Sequence, residues 1–175
     1  KVVVCEARIK QLNPNCEVQG HQMFYLPETA EHLDFTEYDY VVDAVDTVSA
    51  KLDIIERCKS VGVPIISCMG CGNRIDPTKL AIMDIAKTSM DPLAKVIRKG
   101  LKDRRIKGVK VLCSTEEPIV PILPEGGEAE CKGTAGRVAP GSTPFVPAAA
   151  GLAIASEVVK DLTGFDSQKR TKGGH

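Results

Sequence analysis

Tyr38-Asp-Tyr-Val-Val-Asp-Ala-Val-Asp46 is a near-continuous apolar run that stops at an acid and opens into a helix. Buried parallel strands read this way because both faces are covered, and ligands of open α/β sheets sit beyond the carboxyl ends of such strands. Asp46 therefore falls where chemistry is expected. An acid in this position also commonly caps the following helix, and on the residues alone both readings stay open.

Downstream, Ser49 is a candidate cap for a helix whose Leu52, Ile55 and Lys59 lie three or four residues apart, with Gly62 suited to the left-handed closing position. Val63-Pro-Ile-Ile-Ser67 reads as a second buried strand, with Pro64 near its start, where a missing donor is tolerated. Strand, helix and strand over about 30 residues make a βαβ unit with an expected right-handed crossover. Lys79 to Ala86 and Val109 to Cys113 read as further strands. Between them Asp91-Pro92 is a helix start, an acidic cap with proline at the first helical position, and Leu93, Val96, Ile97 and Leu101 form the buried stripe. Pro147 opens a last helix, Ala148 to Leu162, closed by Gly164; its small residues predict that it is mostly buried.

Upstream, Val2, Cys5, Ile9 and Leu12 recur at helical spacing until Asn13-Pro14-Asn15 ends the pattern. Glu17 to Leu26 looks like a strand, followed by a short helix holding Leu33 and Phe35. The predicted fold class is α/β: a Rossmann-like three-layer domain with a mixed, largely parallel sheet. It occupies residues 1–164, with 165–175 as a polar tail. The first residue is Lys1, at a helix start, so the chain reads as a piece of something longer, truncated at its amino end.

At 175 residues, 43% apolar and 26% charged with zero formal net charge, the chain is an ordinary globular domain with no global pull toward nucleic acid or membrane. Any such pull must be local. From Lys95 to Lys110 there are eight basic residues against one acid, Asp103. Lys95, Arg98, Lys99, Lys102 and Arg105 are candidate contacts to phosphates, with no aromatic residues interleaved to read bases; the rival reading is a solvated helix face. The seven cysteines are odd in number and irregularly spaced, which fits reduced thiols in a cytoplasm better than a disulfide framework. Cys68 and Cys71 are either a redox or metal pair or, the reading preferred, buried thiols. Cys113 reads as core. Cys131 lies in the loop from Glu116 to Gly136, whose four glycines and three prolines predict irregular structure, and it is the candidate accessible thiol. His21, His32 and His175 fit no ligand spacing. No apolar run reaches the roughly 18 residues of a membrane span, so no membrane is expected.

Lys1, the Asp43-Ala-Val-Asp46 element, the Val63 to Ser67 strand and Pro140-Gly141-Ser142 with its following helix resemble the ThiF/MoeB/HesA group, relatives of ubiquitin-activating enzymes. Gly72-Asn73-Arg74-Ile75-Asp76-Pro77-Thr78, Asp84-Ile85-Ala86-Lys87-Thr88 and Asp91-Pro92-Leu93-Ala94-Lys95 are similar to the branch of tRNA threonylcarbamoyladenosine dehydratases. The resemblance implies ATP-dependent adenylation of the threonyl carboxylate on tRNA, followed by closure to a cyclic form with loss of water. It assigns Lys1 to the ATP phosphates and Asp46 to magnesium, roles that suit a compact ammonium and a lone carboxylate. The implied partner is tRNA, and a cysteine-desulfurase sulfur-relay partner is left open. A homodimer is expected on separate grounds, because lacking the amino-terminal strands would expose a sheet edge and exposed edges recruit partners.

The departures are equally specific. The family's glycine-rich loop precedes the position of Lys1, and no G-x-G-x-x-G occurs in the chain, so residues 1–175 alone are expected to bind ATP poorly. The single pair Cys68 and Cys71 does not make the four-cysteine zinc site of sulfur-carrier enzymes. Arg137-Val138-Ala139 stands where the dehydratases carry a cysteine. Two rivals remain: an adenylyltransferase for a sulfur-carrier or ubiquitin-like protein, and a truncated, non-catalytic dimerisation domain.

Overall fold

The computed structural model describes residues 1–120, 122, 131–132 and 137–165, with the backbone alone placed at 131–132 and 137–138. The chain divides into two compact units, Lys1–Leu33 and Asp34–His175.

In the first unit, α1 spans Val2–Leu12 as its apolar spacing predicts, although none of its residues is buried. Residues 17–26 form no strand, which corrects the expectation for that segment. An extended run needs a neighbour's ladder to satisfy its backbone, and the bonds here are local. The Met23 N–H donates to the His21 carbonyl at 3.1 Å. The Thr29 hydroxyl accepts from the Leu26 N–H at 2.9 Å and donates to the Phe24 carbonyl at 2.7 Å. His21 and His32, far apart in sequence, bring their ring centroids to 5.9 Å.

The second unit is built on a four-stranded sheet of β1 (Val41–Asp43), β2 (Ile65–Cys68), β3 (Leu80–Asp84) and β4 (Lys110–Ser114), in the spatial order β1-β2-β4-β3. The first three in that order run parallel and β3 is antiparallel to β4. Register places Asp43 beside Ser67 and Cys68 beside Leu112. β1 is therefore an edge strand of this sheet, three residues long, with Val42 48% exposed. The expectation of a strand covered on both faces and running to Asp46 is corrected accordingly.

Three single-turn 3-10 helices, Phe35–Glu37, Pro77–Lys79 and Ile85–Lys87, share one device. Asp34, Asp76 and Asp84 each cap their turn by accepting a hydrogen bond from the backbone N–H two residues on, at 2.8 to 2.9 Å. Two of them flank β3 and shorten it from the expected 79–86. The first replaces the short helix expected around Leu33 and Phe35.

Helices cover the two faces. Ile66 and Leu112 pack with Ala150 and Ile154 of α4 (Phe145–Thr163). Because side chains alternate along a strand, Ile65, Ser67 and Val111 point the other way, toward α2 (Val48–Val61). α2 in turn packs on α3 (Pro92–Asp103). A Cβ on Gly100 would lie 2.8 Å from Leu52 Cδ1, so glycine lets α3 close onto α2.

The caps follow local chemistry. α2 begins two residues earlier than expected, so its N-cap is Thr47 and Ser49 lies in the first turn, while Gly62 closes it at φ +80°. Asp91 caps α3 by accepting from the Ala94 N–H at 3.0 Å, with Pro92 next, as predicted. α4 starts at Phe145, and Pro147 sits in its first turn, where no hydrogen bond is lost. Only Val146, Ala150 and Ile154 of α4 are buried, so the expectation of a mostly buried helix fails. A second apolar stripe of Phe145, Ala148, Leu152, Ala155, Val159 and Leu162 faces outward, with Leu152 75% exposed. β5 (Cys131–Lys132), inside the stretch expected to be irregular, pairs antiparallel with β6 (Arg137–Val138), just beyond it. Residues 121, 123–130 and 133–136, and 166–175 of the expected tail with His175, lie outside the described residues.

Candidate functional site

Asp46 stands three residues past the end of β1 and immediately before Thr47, the N-cap of α2. It is exposed at the carboxyl edge of the sheet. Lys1 occupies the N-cap position of α1 in the other compact unit and is also exposed.

Behind Asp46 lies a charged cluster that escapes notice in the sequence. Lys51 is fully buried, and its Nζ donates to Asp43 Oδ2 at 2.9 Å, to the Cys68 carbonyl at 2.6 Å and to Ser67 Oγ at 3.4 Å. The Ser67 hydroxyl also donates to Asp43 Oδ2, and Asp43 Oδ1 accepts from the Val45 N–H at 3.0 Å. The ammonium thus has three acceptors, which is what a buried ion pair requires to offset its desolvation. Lys51, Ile55 and Cys58 share one buried helix face, so a lysine at the spacing of a core stripe is the signal that could have revealed it. Lys51 is committed to this network and does not reach outward to a substrate. It fixes the carboxyl ends of β1 and β2, from which the Asp46 segment departs.

The segment after β2 is held from three sides. The Gly70 N–H donates to Asp91 Oδ2 at 2.9 Å, so the cap of α3 also anchors this turn. Asn73, at φ +58°, accepts from the Gly141 N–H through Oδ1 at 2.7 Å and donates its own N–H to the Gly141 carbonyl at 2.8 Å. The Glu116 carboxylate accepts from the Ile75 and Asp76 N–H groups at 3.1 to 3.2 Å. Gly72 touches Pro140 so closely that a Cβ there would lie 2.7 Å from the proline Cβ. Branch-like residues of the 72–78 block and the Pro140-Gly141 element are thereby brought into one assembly.

Within that segment, Cys68 and Cys71 are half-buried and their sulfurs are 3.8 Å apart, which departs from the reading of two buried thiols. Cys113 is core as expected, and burial pushes its thiol up. The six cysteines whose side chains are described are free thiols. The side chain of Cys131, expected to be accessible, lies outside the described residues.

The basic face divides in two. Arg98 is pinned by the Thr88 carbonyl and hydroxyl at 2.7 and 2.6 Å, and Arg104 pairs with Glu56 at 3.0 Å. Lys110 binds Glu157 and Asp161 at 2.9 and 2.6 Å, and Tyr40 donates to Asp161 at 2.7 Å. Burial disfavours the charge on Lys110, but these bonds outweigh it and its pKa rises, while the bond from Lys110 lowers that of Asp161. Lys95, Lys99, Lys102 and Arg105 remain exposed on the helix and the turn after it. Four of the five candidate phosphate contacts are thus presented outward, and Arg98 is structural.

Among the described residues no group of three His, Cys, Asp or Glu side chains is arranged to hold a metal by itself. Magnesium bound with a nucleotide needs no such cage, since phosphates and water supply most of its oxygens. A single exposed carboxylate such as Asp46 fits that arrangement. No described helix is long and apolar enough to cross a membrane.

A mostly parallel sheet between helix layers, with polar groups gathered at its carboxyl edge, defines a Rossmann-like α/β domain. The chain belongs to the ThiF family, which it matches over residues 1–173. It is 43% identical over 176 residues to tRNA threonylcarbamoyladenosine dehydratase of Bacillus subtilis (strain 168), covering 98% of this chain and 69% of that protein. The Escherichia coli (strain K12) enzyme of the same name is 35% identical over 129 residues, covering 69% of this chain and 48% of that protein. The solved structure of the E. coli enzyme, TcdA, in complex with ATP superimposes with a TM-score of 0.76 at 29% identity, covering 97% of this chain and 66% of the other. Its complex with AMP gives 0.77 at 30%, covering 94% and 64%. The chain therefore spans between about half and about two thirds of the length of these proteins.

Proposed function

We propose that the protein is an ATP-dependent tRNA threonylcarbamoyladenosine dehydratase, or the portion of one that carries the adenylation site. The carrying observation is 43% identity over 98% of the chain to the B. subtilis enzyme of that name. In the reaction the threonyl carboxylate attacks the α-phosphorus of ATP, pyrophosphate leaves, and closure of the modified base onto the activated carboxyl expels AMP. Asp46 is the residue that would hold magnesium, which neutralises phosphate charge where the new bond forms. Lys1 is assigned to the phosphates on its resemblance alone. Lys51, Asp43 and Ser67 hold the floor of the site rigid.

Lys95, Lys99, Lys102 and Arg105 would position tRNA through its phosphates. Because residues 1–175 alone are expected to bind ATP poorly, the test uses the full-length protein with its nucleotide loop, radiolabelled ATP and three acceptors: tRNA carrying threonylcarbamoyladenosine, unmodified tRNA, and a carrier protein ending in Gly-Gly. AMP release is expected with the first alone. Adenylation of the carrier instead would replace this reading with the sulfur-carrier one. In the same assay a Lys99/Lys102/Arg105 triple alanine variant is expected to raise the tRNA KM and flatten its salt dependence by about three counterions' worth. An unchanged salt slope would remove the basic face from the proposal.

The active form is a cytoplasmic homodimer whose interface includes the outward stripe of α4. Phe145, Leu152, Val159, Leu162 and Phe165 are all more than half exposed on or just after that helix, and apolar patches of this kind mark association surfaces. Sedimentation across a concentration series is expected to give the dimer mass, and Leu152→Glu to give the monomer. A wild-type monomer at every concentration would refute it. A sulfur-relay partner would need an accessible thiol. Cys5 is exposed, but nothing about it selects such a partner.

A further inference from the structure

We infer that Cys68 and Cys71 form a reversible dithiol–disulfide site in which Cys71 is the attacking thiol and Cys68 the resolving one. The reading does not depend on the proposed enzymatic activity.

The geometry carries it first. The two sulfurs are already 3.8 Å apart on the segment that leaves the end of β2, so closing to the roughly 2 Å of a disulfide needs only side-chain rotation and a small backbone shift. Both thiols are half-buried and not sealed in the core, unlike Cys58 and Cys113. Each leans toward the Met69 carbonyl, at 3.6 and 3.9 Å.

The surroundings make the pair asymmetric. Arg74 is 2% exposed, and its Nη2 donates to the Met90 carbonyl at 3.0 Å. Its Nε and Nη1 are buried with no hydrogen-bond partner among the described residues. A buried cation with two unused donors favours an anion nearby, and Cys71 is a neighbour that can become one. The bond from the Cys68 thiol pulls the Cys71 thiol down to about 7; burial and Asp91 oppose this, while Arg74 and Lys51 assist. The same sulfur–sulfur bond, with burial, drives Cys68 upward. When the pair loses its first proton, the remaining one is therefore held on Cys68.

The oxidant is a low-molecular-weight disulfide. The Cys71 thiolate attacks one of its sulfurs, that S–S bond breaks, and one small thiolate leaves. Cys68 gives up its proton and attacks Cys71 Sγ, which expels the second small thiolate and leaves the protein disulfide. Two electrons pass from the two cysteines to the disulfide, which becomes two thiols. The Cys68 carbonyl accepts from Lys51, so the new bond would form one residue from the buried network beneath the sheet edge.

The test incubates the protein with oxidised glutathione, traps free thiols by alkylation, and maps peptides without reduction. Ser60 to Arg74 is one tryptic peptide containing both cysteines. It is expected to lose two hydrogens in the wild type, to carry one glutathione in Cys68→Ser, and to stay largely unmodified in Cys71→Ser. Alkylation of Cys71 in Cys68→Ser is expected to be slower at neutral pH than in the wild type, because the donated bond is gone. A peptide that remains reduced in the native protein, or that closes only after unfolding in urea, overturns the proposal. Equal glutathione loading in the two variants does so as well.

Discussion

Lys51→Met is expected to lower the unfolding free energy by about 3–5 kcal/mol, because it leaves the Asp43 carboxylate buried without its cation. For a chain of this size that corresponds to a fall in melting temperature of about 10 °C or more. Methionine fills nearly the same volume, so the loss reports charge and hydrogen bonding and not a cavity. The remaining partners of Asp43, the Ser67 hydroxyl and the Val45 N–H, are dipoles and do not neutralise it. Pairing Lys51→Met with Asp43→Asn is expected to return much of the stability, since the double variant no longer buries a lone charge. Chemical denaturation of the single and double variants measures both. A single variant within about 0.5 kcal/mol of the parent protein would mean that water or another cation reaches Asp43, and would discard the picture of a sealed network.

Asp46→Asn carries the largest expected effect on chemistry. It keeps the shape of the side chain and its capacity to accept hydrogen bonds but removes the charge that magnesium needs. AMP formation is expected to fall by about 10²–10³-fold, the scale of losing one aligned electrostatic contact in a transition state. The magnesium concentration for half-maximal rate should rise with it. Asp46 is exposed, so the melting temperature is expected to move little, and the kinetic loss can then be assigned to the site. An Asp46→Asn protein with full turnover and an unaltered magnesium curve would dismiss Asp46 as the metal-holding residue.

These two residues mark the limits of what the sequence made legible. The βαβ order around Asp46 was readable because helical spacing, the Gly62 closure and the Asp91-Pro92 start are local signals whose physics needs no partner. Lys51 was not, because a lysine is scored as solvated unless Asp43, Ser67 and the Cys68 carbonyl are known to converge on it, and those contacts are tertiary. The same reason explains residues 17–26: the segment read as a strand, but a strand exists only where a second one meets it. In α4, small residues suggested a mostly buried helix, whereas only the Val146, Ala150 and Ile154 stripe is buried. On the basic face, charge counting could not foresee that Arg98, Arg104 and Lys110 are spent on Thr88, Glu56, Glu157 and Asp161.

The contact of Gly72 with Pro140 bears on how this sequence is free to diverge. A surface turn ordinarily drifts among many polar residues. Here the smallest addition to the α-carbon would collide with a rigid ring from a segment 68 residues later in the chain, and a ring cannot swing aside as a long side chain would. Gly72 therefore has no single-step neighbour in sequence space that preserves the packing, and a substitution there is expected to survive only beside a compensating change in the segment around Pro140.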